Sequence, residues 1–114
     1  MFKDHAYTLS SLVEPAFITP AHFSHWFGYY NYSPLDAENR RLLAHRVNFD
    51  GRDITADDTA EVGWFDLKDG SWNPCGETRA FNWQQGAMLQ WLGPDFRGRV
   101  VYNDVEENHF VARI

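Results

Sequence analysis

A chain of 114 residues and 13.3 kDa is sized for a single domain, and 44% apolar against 23% charged residues is a balance that folds rather than staying disordered. The formal net charge of −6, with Arg40-Arg41 as the only adjacent basic pair, argues against a nucleic-acid or anionic-membrane partner, because such partners are held by Lys/Arg clusters that neutralise phosphates. Cys75 is the only cysteine, so an intramolecular disulfide framework and a thiolate zinc site are both excluded.

The start, Met1-Phe2-Lys3-Asp4-His5, mixes charge of both signs and lacks the apolar stretch of an export signal. No later run approaches the ~18 apolar residues of a membrane span. A cytoplasmic protein is expected. Pro15 and Pro20 break any helix near the start, so residues 1–21 are expected to form an irregular arm ahead of the folded part, residues 22–114.

Aromatic residues make up 17% of the chain and concentrate in short segments that suit sheets, so an all-β fold is expected. The run Trp26 to Tyr32 reads as a first strand packed on both faces. Ser33-Pro34-Leu35-Asp36 supplies a turn, and a second strand is expected from Arg41 to Val47 or Asn48. Between Asp50 and Asp69 seven acids face only Arg52 and Lys68, and the first half of that stretch reads as a solvated loop. Val62 to Leu67 is a third strand, Lys68-Asp69-Gly70-Ser71 a hairpin turn, and Trp72 to Cys75 a fourth strand, together an antiparallel meander.

The pattern then begins again. Gly28 and Gly86, Arg41 and Arg99, and Leu42-Leu43 and Val100-Val101 recur 58 positions apart, and Pro34 and Pro94 recur 60 apart. The second copy reaches its third strand, His109 to Ile114, sooner than the first, so the acidic loop is an insertion in the first copy. A four-stranded sheet repeated at this period is the pattern of propeller blades. The expected fold is therefore all-β, with a four-stranded antiparallel blade over about residues 22–78 and an incomplete second blade over about residues 79–114.

Several segments also resemble, in order, the N-terminal part of a bacterial six- or seven-bladed propeller family related to the TolB-like and oligogalacturonate-lyase-like propellers. They are Phe27-Gly28-Tyr29-Tyr30 leading to Ser33-Pro34, Asp58-Thr59-Ala60-Glu61-Val62-Gly63, Asn82-Trp83-Gln84-Gln85-Gly86 with Leu89-Gln90-Trp91-Leu92, and Tyr102-Asn103-Asp104. The resemblance spans roughly residues 22 to 114 and implies a truncated copy or fragment of a propeller whose relatives handle acidic carbohydrate. In the lyases the metal-binding and catalytic histidines lie in later blades, so no catalytic residue carries over. Where the family has Asp after the tyrosine pair, this chain has Asn31.

Candidate binding residues follow from chemistry and topology. Asn82, Gln84 and Gln85 offer amide donors and carbonyl acceptors suited to sugar hydroxyls and carboxylates, or to capping backbone groups where the second sheet begins. In a meander the loop between strands two and three and the crossover into the next sheet emerge at the same end, which places the acidic insertion on one rim with Arg79, Asn82 and Gln84. The expected ligand-binding set is Gln84, Asn82, Arg79 and His25. If an inner strand starts at Gln84, then Gln84, Gly86 and Met88 share one face and Gln85, Ala87 and Leu89 the other. Trp26, Trp64, Trp83 and Trp91 are expected in the packed interior.

No catalytic motif stands out: Gly-x-Ser-x-Gly, a P-loop, a dinucleotide fingerprint and His-Glu-x-x-His are all missing from the sequence. His22 and His25 lie three apart, a spacing that is neither of the common ligand pairs, and the aspartates of the acidic loop lack calcium-hand spacing. No metal or cofactor is expected, and no catalysis by this chain alone. The function expected is that of an incomplete propeller without independent catalysis, from a family that binds or processes acidic carbohydrate, with an acidic oligosaccharide as the expected partner. The alternatives are a protein-interaction propeller and a small module completed by self-association through open sheet edges.

Overall fold

In a computed structural model that describes residues 18–114, the chain is all-β, with no helix among those residues. It follows that no helix there is long and apolar enough to cross a membrane. The expected arm falls outside the described residues up to position 17.

Four strands, β1 (Ser24–Trp26), β2 (Arg41–Val47), β3 (Ala60–Asp66) and β4 (Trp72–Thr78), form one antiparallel sheet in sequence order. Three more, β5 (Gln90–Trp91), β6 (Val100–Glu106) and β7 (His109–Arg113), form a second antiparallel sheet, also in order. The expected meander is present, and β2 occupies the expected residues up to Val47.

Two boundaries differ from expectation. The first strand is Ser24–Trp26 rather than Trp26 to Tyr32, and residues 29–32 form an exposed turn closed by Tyr32 N–H donating to Tyr29 O at 3.3 Å. The aromatic run misleads because Gly28 adopts φ 114, which ends extended pairing whatever the β-propensity of its neighbours. The fourth strand runs on past Cys75 to Thr78, since Pro74 lies where β3 and β4 slip register next to Gly63 and β4 is an edge of its sheet. The β3–β4 hairpin turns as expected, with Asp66 and Ser71 joined by a 2.9 Å backbone bond and Asp66 Oδ1 accepting the Lys68 N–H.

The two sheets share one apolar layer. Cross-strand neighbours Leu43 and Trp64, and His45 and Val62, point from the first sheet toward Ala87, Leu89, Trp91 and Tyr102 of the second half. Leu43, Val62, Ala87 and Leu89 are each at most 1% exposed, and burying a large aliphatic side chain contributes about 1.5–3 kcal/mol. Trp91 is buried as expected, its indole N–H donating to Pro34 O at 3.0 Å. The opposite face of the first sheet carries Phe65 and Trp72, 4.9 Å apart, with His25 and Phe23 beside them and Arg46 lying over Phe23 and Trp72.

Polar links lock the sheets in position. Thr78 Oγ1 donates to Asn103 O at 2.6 Å, and Asp104 accepts from the Arg79 N–H while pairing with Arg113. His45, fully buried, accepts the Ala87 N–H at Nε2 and lies within 3.1 Å of Trp26 O through Nδ1. That network requires the neutral ring with its proton on Nδ1.

Candidate functional site

The crossover from β4 to β5 is shaped by one short polar motif. Asn82 and Gly86 form an isolated antiparallel bridge, Asn82 Oδ1 accepts the Gln85 N–H at 2.7 Å, and residues 83–85 turn between them. An asparagine carboxamide that mimics a backbone acceptor favours this conformation over a strand. The strand expected to start at Gln84 is therefore a turn, and Gln84 and Gln85 are both exposed. The pleat alternation that would separate them is absent, although Ala87 and Leu89 do reach the core as expected.

Opposite this turn stands the acidic loop, which is more than a solvated connector. Asp58 accepts two hydrogen bonds from the Arg52 guanidinium, each 2.9 Å, and one from the Thr55 N–H at 2.7 Å. The Arg52 and Thr55 bonds hold the Asp58 carboxyl well below the usual carboxylate range. Arg52 also lies 3.8 Å over the Phe49 ring, and its carbonyl accepts the Trp83 indole N–H at 3.1 Å. Trp83 in turn packs on Trp26 at 4.9 Å and on Phe49 at 5.6 Å. It is 36% exposed, so it clasps the loop to the crossover and leaves an edge in solvent rather than lying in the interior.

Between these two segments and β7 lies an open cleft of about 930 Å³. Its floor and walls include Arg79, Asn82, Gln85 and Asn103 as polar groups and Phe81, Trp83, Met88 and Phe110 as apolar ones, with Asp53 and Thr55 contributed by the acidic loop. The topological expectation holds for Arg79 and Asn82, which line the cleft together with the acidic insertion. Gln84 is absent from the lining, and Gln85 takes that place.

His25 is not part of this cleft. It packs on the other face of the first sheet, its ring 5.0 Å from Phe65 and 5.7 Å from Trp72. Burial, with the Arg46 charge nearby, lowers its pKa to about 4. His25 is thus separated from Arg79, Asn82 and the two glutamines.

Asn103 and Phe110 are not candidates from the sequence, and Met88 enters there only as a neighbour of Gln84 on one expected strand face. Asn103 belongs to the Tyr102-Asn103-Asp104 stretch already noted, and strand alternation puts its side chain on the face opposite buried Tyr102 and Asp104. Phe110 carries no local signal beyond its own type. Among the described residues no group of three or more His, Cys, Asp or Glu side chains is placed to hold a metal ion. Comparison with protein-family models, with curated proteins and with solved structures finds no match.

Proposed function

We propose that this chain is a non-catalytic binding module whose cleft takes an acidic oligosaccharide. The observation that carries the reading is the composition of the cleft: the exposed Arg79, which forms no ion pair among the described residues, stands with the carboxamides of Asn82, Gln85 and Asn103 and beside the rings of Phe81 and Trp83. Aromatic faces stack on the apolar faces of sugar rings, carboxamides pair with hydroxyls, and a guanidinium holds a carboxylate through paired bonds.

The two meander-like sheets support a wider reading. β2 and β6 begin 59 positions apart, close to the sequence repeat, which fits successive units of a propeller of the TolB-like or oligogalacturonate-lyase-like kind in a cytoplasmic protein. A second reading, self-association, is favoured by β7, the outer strand of the second sheet, where Phe110 is 84% exposed, with Ile114 just beyond it 78% exposed.

Calorimetric titration with a uronic-acid oligomer and with the neutral oligomer of the same length tests the binding reading. Tighter binding of the acidic ligand, weakened at least tenfold by Arg79→Ala, is the expected result; one charge-assisted pair is worth about 1.5–3 kcal/mol. Equal affinity for both oligomers, or no binding of either, contradicts it.

A further inference from the structure

A cluster of three tyrosines stands beside the cleft and has no role in the fold described so far. Tyr29 and Tyr30 stack with ring centroids 5.4 Å apart and planes 28° from parallel, and Tyr32 lies 5.5 Å from Tyr29. Tyr30 is 86% exposed and Tyr32 39% exposed. Large aromatic surface left in water is unfavourable to solvation and marks a recognition site more often than a packing accident when several rings gather in one turn. The turn is shaped to present them: the Tyr32 N–H closes onto Tyr29 O, and the Asn31 carboxamide lies 3.4 Å from the Tyr29 hydroxyl.

Its position is set by Gly28. A Cβ at Gly28 would come within 2.6 Å of the Gln85 carbonyl carbon and oxygen, so the tyrosine turn leaves directly from a backbone-to-backbone contact with the crossover that walls the cleft. Exposed Gln84 lies on the same crossover.

We infer that the Tyr29–Tyr32 turn is a second sugar-stacking subsite, which extends the cleft across Gln84 and Gln85 so that a longer oligosaccharide chain is held at both ends. The inference rests on the saccharide reading of the cleft. Tyr30 supplies the ring face, and the hydroxyls of Tyr29 and Tyr30 together with the Gln84 amide supply hydrogen bonds to the sugar. A ligand short enough to fill only the cleft does not reach this turn.

The test compares a uronic-acid disaccharide with a longer oligomer of the same sugar, titrated against the parent chain, Tyr30→Ala and Tyr30→Phe. The parent is expected to bind the longer oligomer more tightly. Tyr30→Ala should remove about three- to tenfold of affinity for the long ligand and leave the disaccharide unchanged, with Tyr30→Phe retaining most of the difference. An unchanged melting temperature for the variants shows that the fold is intact, as the exposure of Tyr30 requires. If both ligands bind the parent equally, or Tyr30→Ala affects both alike, the second subsite is wrong while the cleft reading stands. If neither ligand binds the parent, the cleft reading fails and the subsite with it.

Discussion

The imidazole Nε2 of His45 accepts the backbone N–H of Ala87 at 2.8 Å, and this single bond links the middle of the first sheet to the segment that leads into the second. Nδ1 faces Trp26 O at 3.1 Å, and the ring stacks on Trp26 with centroids 5.0 Å apart. A fully buried histidine with both nitrogens engaged is a structural crosslink.

His45→Ala is therefore expected to destabilise the chain by about 2–4 kcal/mol, since it leaves the Ala87 N–H and Trp26 O without their partner and opens a void between the sheets. Urea unfolding followed by tryptophan fluorescence measures this. A loss below about 1 kcal/mol would mean that the sheets do not depend on the crosslink.

The same ring predicts how stability responds to acid. Burial lowers the folded-state pKa of His45 to about 4 from 6.5, so between those values the unfolded chain binds a proton that the folded chain refuses. Stability is then constant above about pH 7 and declines as pH falls from about 6.5 to about 4, by about 2 kcal/mol at pH 5 from His45 alone. His25, lowered to about 4 by burial and Arg46, adds in the same direction, with a smaller effect because it is partly exposed. Urea midpoints at pH 7 and pH 5 check the sign, and His45→Gln should flatten the profile.

Gly28 and Gly86, the repeat-matched glycines, turn out to sit at contacts between the two halves. Gly28 backs onto Gln85, and a Cβ at Gly86 would overlap the His45 ring; both residues also hold positive φ, at 114° and 60°. Gly86→Ala is expected to cost more than about 2 kcal/mol, because strain and overlap add and the His45 ring has no space to move. A melt matching the parent would contradict the packing at this point.

Much of this was readable in advance where pattern and packing agree. β2 is delimited by its Arg-Leu-Leu-Ala-His-Arg-Val run, and the β3–β4 turn by Asp-Gly chemistry. The shared rim of the acidic loop and Arg79 followed from meander topology alone. Other features depend on contacts that one segment cannot announce. The run at 26–32 has strand composition, yet Gly28 must press against Gln85, and that partner lies more than fifty residues away. Asn82 bonding to the Gln85 N–H overrides the alternation expected to set Gln84 and Gln85 on opposite faces. His25 lies on β1, where the strand pleat turns it toward Phe65 and Trp72, on the face of the first sheet away from the second half, while the cleft is built from loops and from the second sheet.

Trp83→Ala should act mainly on the acidic loop. The substitution removes the indole bond to Arg52 O and the contact with Phe49, so amide exchange at residues 50–58 is expected to speed up while the core strands stay protected. The stability cost should fall to about 1–3 kcal/mol, short of the ~3–5 kcal/mol of a fully buried tryptophan. Uniform loss of protection across β2 and β3 would show that Trp83 belongs to the core after all.

The exposed edge at β7 predicts self-association. Sedimentation velocity at rising concentration should show a shift toward dimer that Phe110→Lys reduces, since a charge on an edge strand opposes pairing with another chain. A boundary that stays monomeric throughout the series would leave β7 as a tolerated free edge.

The most direct test of the binding site is an amide-resolved NMR titration with a uronic-acid oligomer. Binding in the cleft predicts saturable shift changes at residues 79–88, Asn103, the loop at 53–56 and the β7 residues Phe110–Ala112, joined by residues 29–32 for an oligomer long enough to reach the second subsite, with the amides around His25 unmoved and the affinity weakened at least tenfold in Arg79→Ala. Shift changes centred on the Phe65 and Trp72 face of the first sheet, or none at saturating ligand, would contradict the assignment of this cleft to an acidic saccharide.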